Sequence, residues 1–182
     1  MAQFNFNGNT VEISELENRQ IIWRNFEGVA KEKNNAGNRN FGITFDDPQI
    51  ADKLAELGVK VAIREHEDGS VDFAFGVKVG FTLRDGSRNP RAPELYKIDS
   101  TGIKKMREED VKMFDQAVFT KVDLSFNLGK PYVSTKDGNE YRSAYLKEMY
   151  GTIQESNLRR KYNSMFNEDS SEDVDGDAPF DI

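Results

Sequence analysis

Cysteine is absent from this sequence, which excludes disulfide scaffolds, thiolate zinc sites and cysteine nucleophiles. The one histidine, His66, cannot form a zinc site without further nitrogen or sulfur ligands. No stretch approaches the roughly 20 apolar residues of a membrane span, and the first residues lack the basic and apolar regions of a signal peptide. Phosphate loops, dinucleotide fingerprints and Gly-x-Ser-x-Gly elbows are missing too. We therefore expect a cytoplasmic protein that uses no metal and no cofactor.

Apolar residues, by contrast, are plentiful enough to build a core. Of the 182 residues 37% are hydrophobic, and the aromatic residues comprise 13 Phe, 6 Tyr and 1 Trp. This composition excludes disorder of the whole chain. The length allows one domain with an appendage.

Negative charge is concentrated at the C-terminal end of the chain. The formal net charge is −7, from 25 basic and 32 acidic residues. Residues 163–182 hold seven acids and no Lys or Arg, so residues 1–162 carry 25 acids and 25 bases and are formally neutral. A polar, acidic segment of this kind cannot bury enough apolar surface to order itself. We predict a folded domain over 1–162 and a disordered acidic tail over 163–182.

Positive charge gathers in two places within the neutral body. Residues 76–107 contain eight Lys or Arg against three acids, a local charge of +5. A smaller cluster, Lys31, Lys33 and Arg39, surrounds the Gly/Asn-rich run 34–38. Both regions include turn-like sequence, so charged loops in plain contact with water explain each residue as readily as a binding role does.

Alternating apolar residues predict a mainly β protein. Residues 71–81 place Val and Phe on one face and small residues on the other, which permits close approach by a ligand. Asp47-Pro48 predicts the start of a short helix that ends near Leu57. Further strands are predicted at 20–30, 41–45, 59–63, 93–99, 118–128 and 141–152, with helices at 107–117 and 153–162. About seven strands with two or three short helices favour an OB-like antiparallel barrel with added strands; a β-sandwich is the competing arrangement.

Aromatic residues interleaved with cations indicate a surface for single-stranded nucleic acid, because any base stacks on an aromatic ring and cations follow the phosphates. Trp23 and the tyrosines beside turns are the better candidates for exposed rings, whereas Phe41, Phe45, Phe73 and Phe75 are more simply core residues. The candidate binding residues are Trp23, Arg24, Phe26, Lys31, Lys33, Arg39, Phe41, Arg64, Lys78, Arg84, Arg88, Arg91, Tyr96, Tyr132 and Tyr141.

The last ten residues resemble a known kind of tail. Asp177-Ala178-Pro179-Phe180 matches the acids and Pro-Phe tip that end bacterial and phage single-stranded-DNA-binding proteins. Here Asp181 and Ile182 follow the phenylalanine, so Ile182 would supply the terminal carboxylate. Two body segments, 40–54 and 144–153, are also similar to small phage-encoded proteins of this OB-fold kind.

This resemblance implies a protein that coats single-stranded DNA without sequence preference during phage replication or recombination, in the cytoplasm of the host. The tail would compete with DNA for the binding surface and recruit a polymerase, helicase or primase. The residues implied in recruitment are Asp175, Asp177, Pro179, Phe180, Asp181 and Ile182.

Two other functions stay open at this stage. One is an acidic DNA mimic that inhibits a host DNA-binding enzyme, and the other is a magnesium-dependent nuclease that uses Asp46 and a second carboxylate. Non-enzymatic DNA binding is the preferred hypothesis. The sequence does not distinguish a monomer from a dimer.

Overall fold

A computed structural model describes residues 1–169, with side chains as far as residue 165. The tail positions from Asp175 to Ile182 lie outside the described residues. Within the described residues the chain forms twelve strands and two α-helices. The strands are β1 (Gln3–Asn7), β2 (Thr10–Leu16), β3 (Ile21–Asn25), β4 (Arg39–Phe45), β5 (Ala62–Glu65), β6 (Val71–Val79), β7 (Glu94–Asp99), β8 (Gly102–Lys105), β9 (Phe119–Leu128), β10 (Tyr132–Val133), β11 (Glu140–Tyr141) and β12 (Ala144–Ile153). The α-helices are α1 (Pro48–Glu56) and α2 (Asn157–Asp169), and short 3-10 helices cover Asn18–Gln20 and Glu108–Asp115.

Ten strands form one sheet in the order β1-β2-β9-β12-β6-β4-β3, with β5 added to β6, β7 to β12 and β8 to β7. β10 and β11 form a separate hairpin. Most pairs are antiparallel, but β12 runs parallel to both β6 and β7. The predicted mainly β fold class with few short helices is confirmed. The path ends at β1 and β3, so within the described residues no β1–β3 ladder closes the sheet into the predicted barrel.

Inward-facing phenylalanines from distant parts of the chain build the core. Phe75 of β6 meets Phe126 of β9 with ring centroids 5.4 Å apart, and Phe26 meets Phe41 at 5.1 Å. All four are at most 1% exposed. Phe4 of β1 also meets Phe45 of β4 at 5.4 Å, so strands from both halves of the sheet path pack around one apolar cluster.

The helices agree with the sequence in one case and differ in two. α1 begins as predicted: the Asp47 carboxylate accepts a hydrogen bond from the Gln49 amide at 2.8 Å, and Pro48 occupies the first turn. The predicted helix at 107–117 is a 3-10 helix, with Val111 and Phe114 buried three residues apart, the repeat of that helix. The terminal helix, predicted at 153–162, is instead Asn157–Asp169, so the predicted domain boundary falls inside α2.

The N-terminal hairpin β1–β2 is not among the predicted strands. Its signal in the sequence is the two-residue Gly8-Asn9 turn, where Gly8 adopts a φ of +58°. No described helix has the length and apolar content needed to span a membrane.

Candidate nucleic-acid interface

The outer face of β4 and β6 is a floor of small residues. In this antiparallel pair Gly42 lies opposite Gly76, and Asn40 lies opposite Lys78. Side chains alternate between the two faces of a strand, so the residues between Phe41, Ile43 and Phe45 on β4 face away from the core. A Cβ at Gly76 would meet no atom within 4 Å. The floor is therefore flat and open at this point.

Trp23 lies on this floor. Its φ is +50°, the left-handed region that bulky residues rarely adopt, at an irregularity of β3 between Ile22 and Asn25. The indole packs directly on Gly42: a Cβ there would be 2.5 Å from Trp23 Cε3. The side chain is nevertheless 56% exposed. Arg64 places its guanidinium carbon 5.8 Å from the centre of the indole.

A groove of about 380 Å³ runs beside Trp23 across the glycine floor. Tyr132, the first residue of β10 in the β10–β11 hairpin, forms part of its wall and is exposed. Tyr141 supports Tyr132 from the same hairpin, with ring centroids 6.4 Å apart. Lys60 lines the groove with its ammonium 5.1 Å from the Tyr141 ring centre. The groove thus combines exposed aromatic rings with positive charge.

A second groove of about 640 Å³ continues from the first, since both are lined by Asn40 and Lys78. It lies between the 34–39 loop and residues 80–84, and Arg39 and Arg84 add positive charge to it. The exposed ring of Tyr145 also lines it, with the Lys78 ammonium 5.7 Å from the ring centre.

The electrostatic character of the two joined grooves is basic. Their described linings include five Lys or Arg against a single acid, Glu108. Arg39 pairs with that acid, with its Nη2 3.6 Å from the carboxylate. The cationic lining residues are Lys60, Lys78, Arg142, Arg39 and Arg84.

Several predicted binding residues lie along or near this path. Trp23, Arg39, Lys78, Arg84 and Tyr132 line the grooves. Two further predicted residues, Arg64 and Tyr141, lie outside the groove linings but contact lining residues. Four others are exposed loop residues outside the linings: Lys31, Lys33, Arg88 and Arg91.

Three predicted residues serve the interior instead. Phe26 and Phe41 are buried in the core; Phe41 contributes to the lining of the first groove but is only 1% exposed, so neither ring has a face free for a base. Arg24 has its guanidinium occupied by the protein: it donates to the carbonyl oxygens of Phe114 and Ala117, and also to those of Ile21 and Asn18. A further bond goes to the Asn18 side chain, and burial lowers the pKa of Arg24. We therefore leave these three residues out of the interface.

Tyr96 belongs to a different surface. Its ring stacks on Tyr150 with centroids 4.7 Å apart, and its hydroxyl donates to the Glu94 carboxylate at 2.8 Å. That hydrogen bond raises the pKa of Tyr96 to about 12. Tyr150 in turn lines a groove of about 440 Å³ whose other walls include three carboxylates, Glu12, Asp123 and Glu148. Negative charge makes this neighbourhood unsuited to phosphates.

The prediction missed Lys60, Tyr145 and Gly42. Tyr145 follows directly after Ala144 in a predicted strand, and nothing in that pattern distinguishes an exposed ring from a buried one. Gly42 matters only because strand register sets it under Trp23 and opposite Gly76.

The carboxylates considered for a nuclease are ordinary surface groups. Asp46 is exposed, and Asp47 caps α1. Among the described residues no group of three or more His, Asp or Glu is arranged to hold a metal ion.

Solved structures similar to this chain include two phage proteins. The single-stranded DNA-binding protein of bacteriophage Enc34, in complex with ssDNA, is 9% identical, with a TM-score of 0.46 over 82% of this chain and 89% of that one. The gp2.5 single-stranded DNA-binding protein of bacteriophage T7 is 13% identical, with a TM-score of 0.38 over 100% of both chains. No curated protein sequence gives a match.

One family model matches nearly the whole sequence. Its description is "Putative phage ssDNA-binding domain", and it matches residues 4–181. The match includes both grooves and extends into the acidic tail. The chain therefore belongs to this family of phage single-stranded-DNA-binding proteins.

Proposed function

We propose that single-stranded DNA lies along the two joined grooves and is bound without sequence preference. The observation that carries this proposal is the exposed Trp23 ring on a glycine floor, continuous with a cationic channel past Lys78. A base can stack on the ring while its phosphates follow the lysines and arginines. Both contacts are available to any nucleotide.

Stacking supplies the shorter-range part of the binding free energy. Trp23 and Tyr132 border the first groove and Tyr145 borders the second. Base–aromatic stacking is worth about 1–3 kcal/mol per base and is tolerant of sequence, because every base has a π-face. Three such rings along one path give a single strand three places at which an unpaired base can stack.

The cations supply the salt-dependent part. Lys60, Lys78 and Arg84 are exposed or partly exposed and face the grooves. Neutralising phosphates releases counterions, so affinity falls as salt concentration rises. Arg39 is held by Glu108 and lies 5.3 Å from the Phe81 ring centre, which fixes its guanidinium at the groove wall.

The acidic tail is assigned a regulatory part in this proposal. Residues 170–182 carry five acids and no Lys or Arg. Negative charge tethered to the domain competes with phosphates for the basic grooves. DNA binding would then free the Pro179-Phe180 tip to recruit a polymerase, helicase or primase during phage replication or recombination.

A fluorescence titration tests the central claim, because Trp23 is the single tryptophan. Oligo-dT should quench Trp23 emission, and a duplex of equal length should quench it far less. If neither oligo-dT nor the duplex quenches Trp23 emission in a folded protein, the proposal is overturned. It would also favour the DNA-mimic alternative, which predicts no oligonucleotide binding.

The tail is tested by deleting residues 170–182, a change that keeps the described α2 whole. The truncated protein should bind oligo-dT more tightly than the full chain, and the difference should shrink at high salt because screening weakens both contacts. Equal affinity at every ionic strength would remove the competition mechanism while leaving the groove assignment intact.

A further inference from the structure

Helix α2 exposes an apolar stripe that the rest of the described chain does not cover. Leu158, Tyr162 and Met165 are 69%, 57% and 51% exposed. Their spacing of four and three residues places them within an arc of about 60° on the helix surface. An amphipathic helix normally buries such a stripe against another element. The stripe is therefore a candidate docking surface.

The side of α2 that touches the body is a different one. Asn163 is half-buried, and its Nδ2 donates to Ser100 Oγ at 2.9 Å and to Glu155 Oε1 at 3.4 Å. At about 100° per residue, Asn163 lies about 130° around the helix from the centre of the stripe. The helix is thus anchored through a polar side while its apolar side faces away from the body.

Charge along α2 favours a second copy of this chain as the partner. Arg159, Arg160 and Lys161 lie near its first turn, which contains no acid. Cations there meet the positive end of the helix dipole, an unfavourable arrangement. The sequence places Glu168 and Asp169 at the other end of the helix. An antiparallel second α2 would set each basic end beside a partner's acidic end, whereas a parallel one would set like charges together.

We infer that α2 is a self-association surface, on which a second copy of this chain docks its own α2 in antiparallel orientation. The pairing is symmetric, because the same stripe serves both copies. It closes after two chains, as a two-fold interface must. Tyr162 and Met165 pack at the centre, and Leu158 lies toward each end.

The size of the surface sets the strength of the dimer. A helix of 13 residues is about 20 Å long. Two helices of this length bury less surface against each other than the roughly 1,200–2,000 Å² that stable complexes bury. We therefore expect weak pairing in free solution. Two copies on one DNA strand are held at a high effective concentration, which strengthens the pairing. This last step rests on the proposed function; pairing of the free protein does not.

Sedimentation of the DNA-free protein over a range of concentrations up to about millimolar tests the inference. The mass of the wild-type protein should rise from 20.7 kDa toward about twice that value. Met165→Glu should remain a monomer, whereas the matched control Ser164→Glu adds the same charge off the stripe and should behave like wild type. A wild-type mass that never rises, or equal dimerisation by Met165→Glu, would overturn the inference.

Crosslinking tests the orientation, and the absence of native cysteine makes it unambiguous. In the antiparallel pair the two copies of residue 162 are close to the symmetry axis, and the two copies of residue 158 are about 16 Å apart along the helices. A short bifunctional thiol reagent should therefore join Tyr162→Cys chains in high yield and Leu158→Cys chains poorly. Equal high yields would show a parallel pair and contradict the proposed geometry, and low yields at both positions would contradict the interface.

Binding to short oligo-dT separates this inference from the proposed function. An oligonucleotide with room for one copy should bind Met165→Glu as tightly as wild type, because Met165 lies outside the groove linings. Cooperative binding to long strands should be reduced in the same variant. If the wild type dimerises but ignores every oligonucleotide, the proposed function fails and the self-association stands.

Discussion

The indole of Trp23 rests on the bare backbone of Gly42, so closely that a Cβ at position 42 would approach Trp23 Cε3 to 2.5 Å. A Cβ atom on Gly42 would therefore have to displace either the backbone of β4 or the indole ring of Trp23. The same residue 42 pairs across the ladder with Gly76, whose outer side is empty. The two paired glycines thus have different roles: the Trp23 ring packs on Gly42, and Gly76 leaves open space beside that ring.

Gly42→Ala should displace Trp23 even without DNA, because the added methyl group occupies the position of the ring. The tryptophan emission of the free protein should change, and oligo-dT affinity should fall. Gly76→Ala is the matched control, and the emission of the free protein should stay as in wild type. If Gly42→Ala leaves the tryptophan emission and the oligo-dT affinity unchanged, the packing of Trp23 on Gly42 does not contribute to binding.

Gly76→Val should block the first groove while leaving Trp23 in place. A branched side chain on the open floor takes the space of a stacked base, and valine is well suited to a strand. Oligo-dT affinity should fall by about 5- to 150-fold, the equivalent of one stacking contact of about 1–3 kcal/mol. Titration should be paired with thermal unfolding, and undiminished affinity in a stable variant would argue that the strand takes another route.

Lys78→Ala and Arg84→Ala should each lower the salt dependence of oligo-dT binding. For single strands, the slope of log affinity against log salt becomes shallower by about 0.7 for each phosphate that the protein no longer neutralises. Lys121→Ala is a suitable control, because Lys121 pairs with Asp123 at the acidic groove. Equal slopes for the groove variants and the control would show that phosphates do not follow the grooves.

Arg24→Ala should reduce stability rather than DNA affinity. Its removal leaves the partly buried carbonyl groups of Phe114 and Ala117 without this donor. We expect a loss of about 2–4 kcal/mol in the free energy of unfolding. Arg88→Ala, at an exposed loop position, should change it by at most about 0.5 kcal/mol. Urea unfolding makes the comparison, and a stable Arg24→Ala with a reduced salt slope would return Arg24 to the interface.

Tyr96 should lose its proton later than an ordinary tyrosine. Its pKa is raised from 10.0 to about 12 by the hydrogen bond to Glu94, so the contribution of that bond to stability is complete below pH 10. The contribution disappears as the pH rises from 10 toward about 12, because the ionised phenol repels the carboxylate. Burial and Glu148 raise the pKa of the neighbouring Tyr150 as well, so ultraviolet titration should show a late tyrosinate step that is smaller in Tyr96→Phe. A late step of undiminished size in that variant would contradict the assignment.

Local patterns in the sequence determined much of this protein. The Asp47-Pro48 cap, the alternation along β6 and the split between a neutral body and an acidic end all depend on neighbouring residues, so they can be inferred without a fold. The small-residue face of β6 was visible in the same way. Aromatic residues beside cations and the Pro179-Phe180 tip led to the right family.

Tertiary structure alone decided which of those residues reach the surface. Phe26 and Trp23 stand three residues apart in one predicted strand, so alternation places them on opposite faces without showing which face is the core. In the structure Phe26 is buried and Trp23 is 56% exposed. Phe26 is on the core side because Phe41 of β4 and Phe114 of the 3-10 helix Glu108–Asp115 pack against its ring. Exposure and strand register depend on contacts between distant segments. Three features of the site therefore depend on the tertiary structure. They are the packing of Trp23 on Gly42, the hydrogen bonds from Arg24 to carbonyl groups, and the continuity of the two grooves at Lys78.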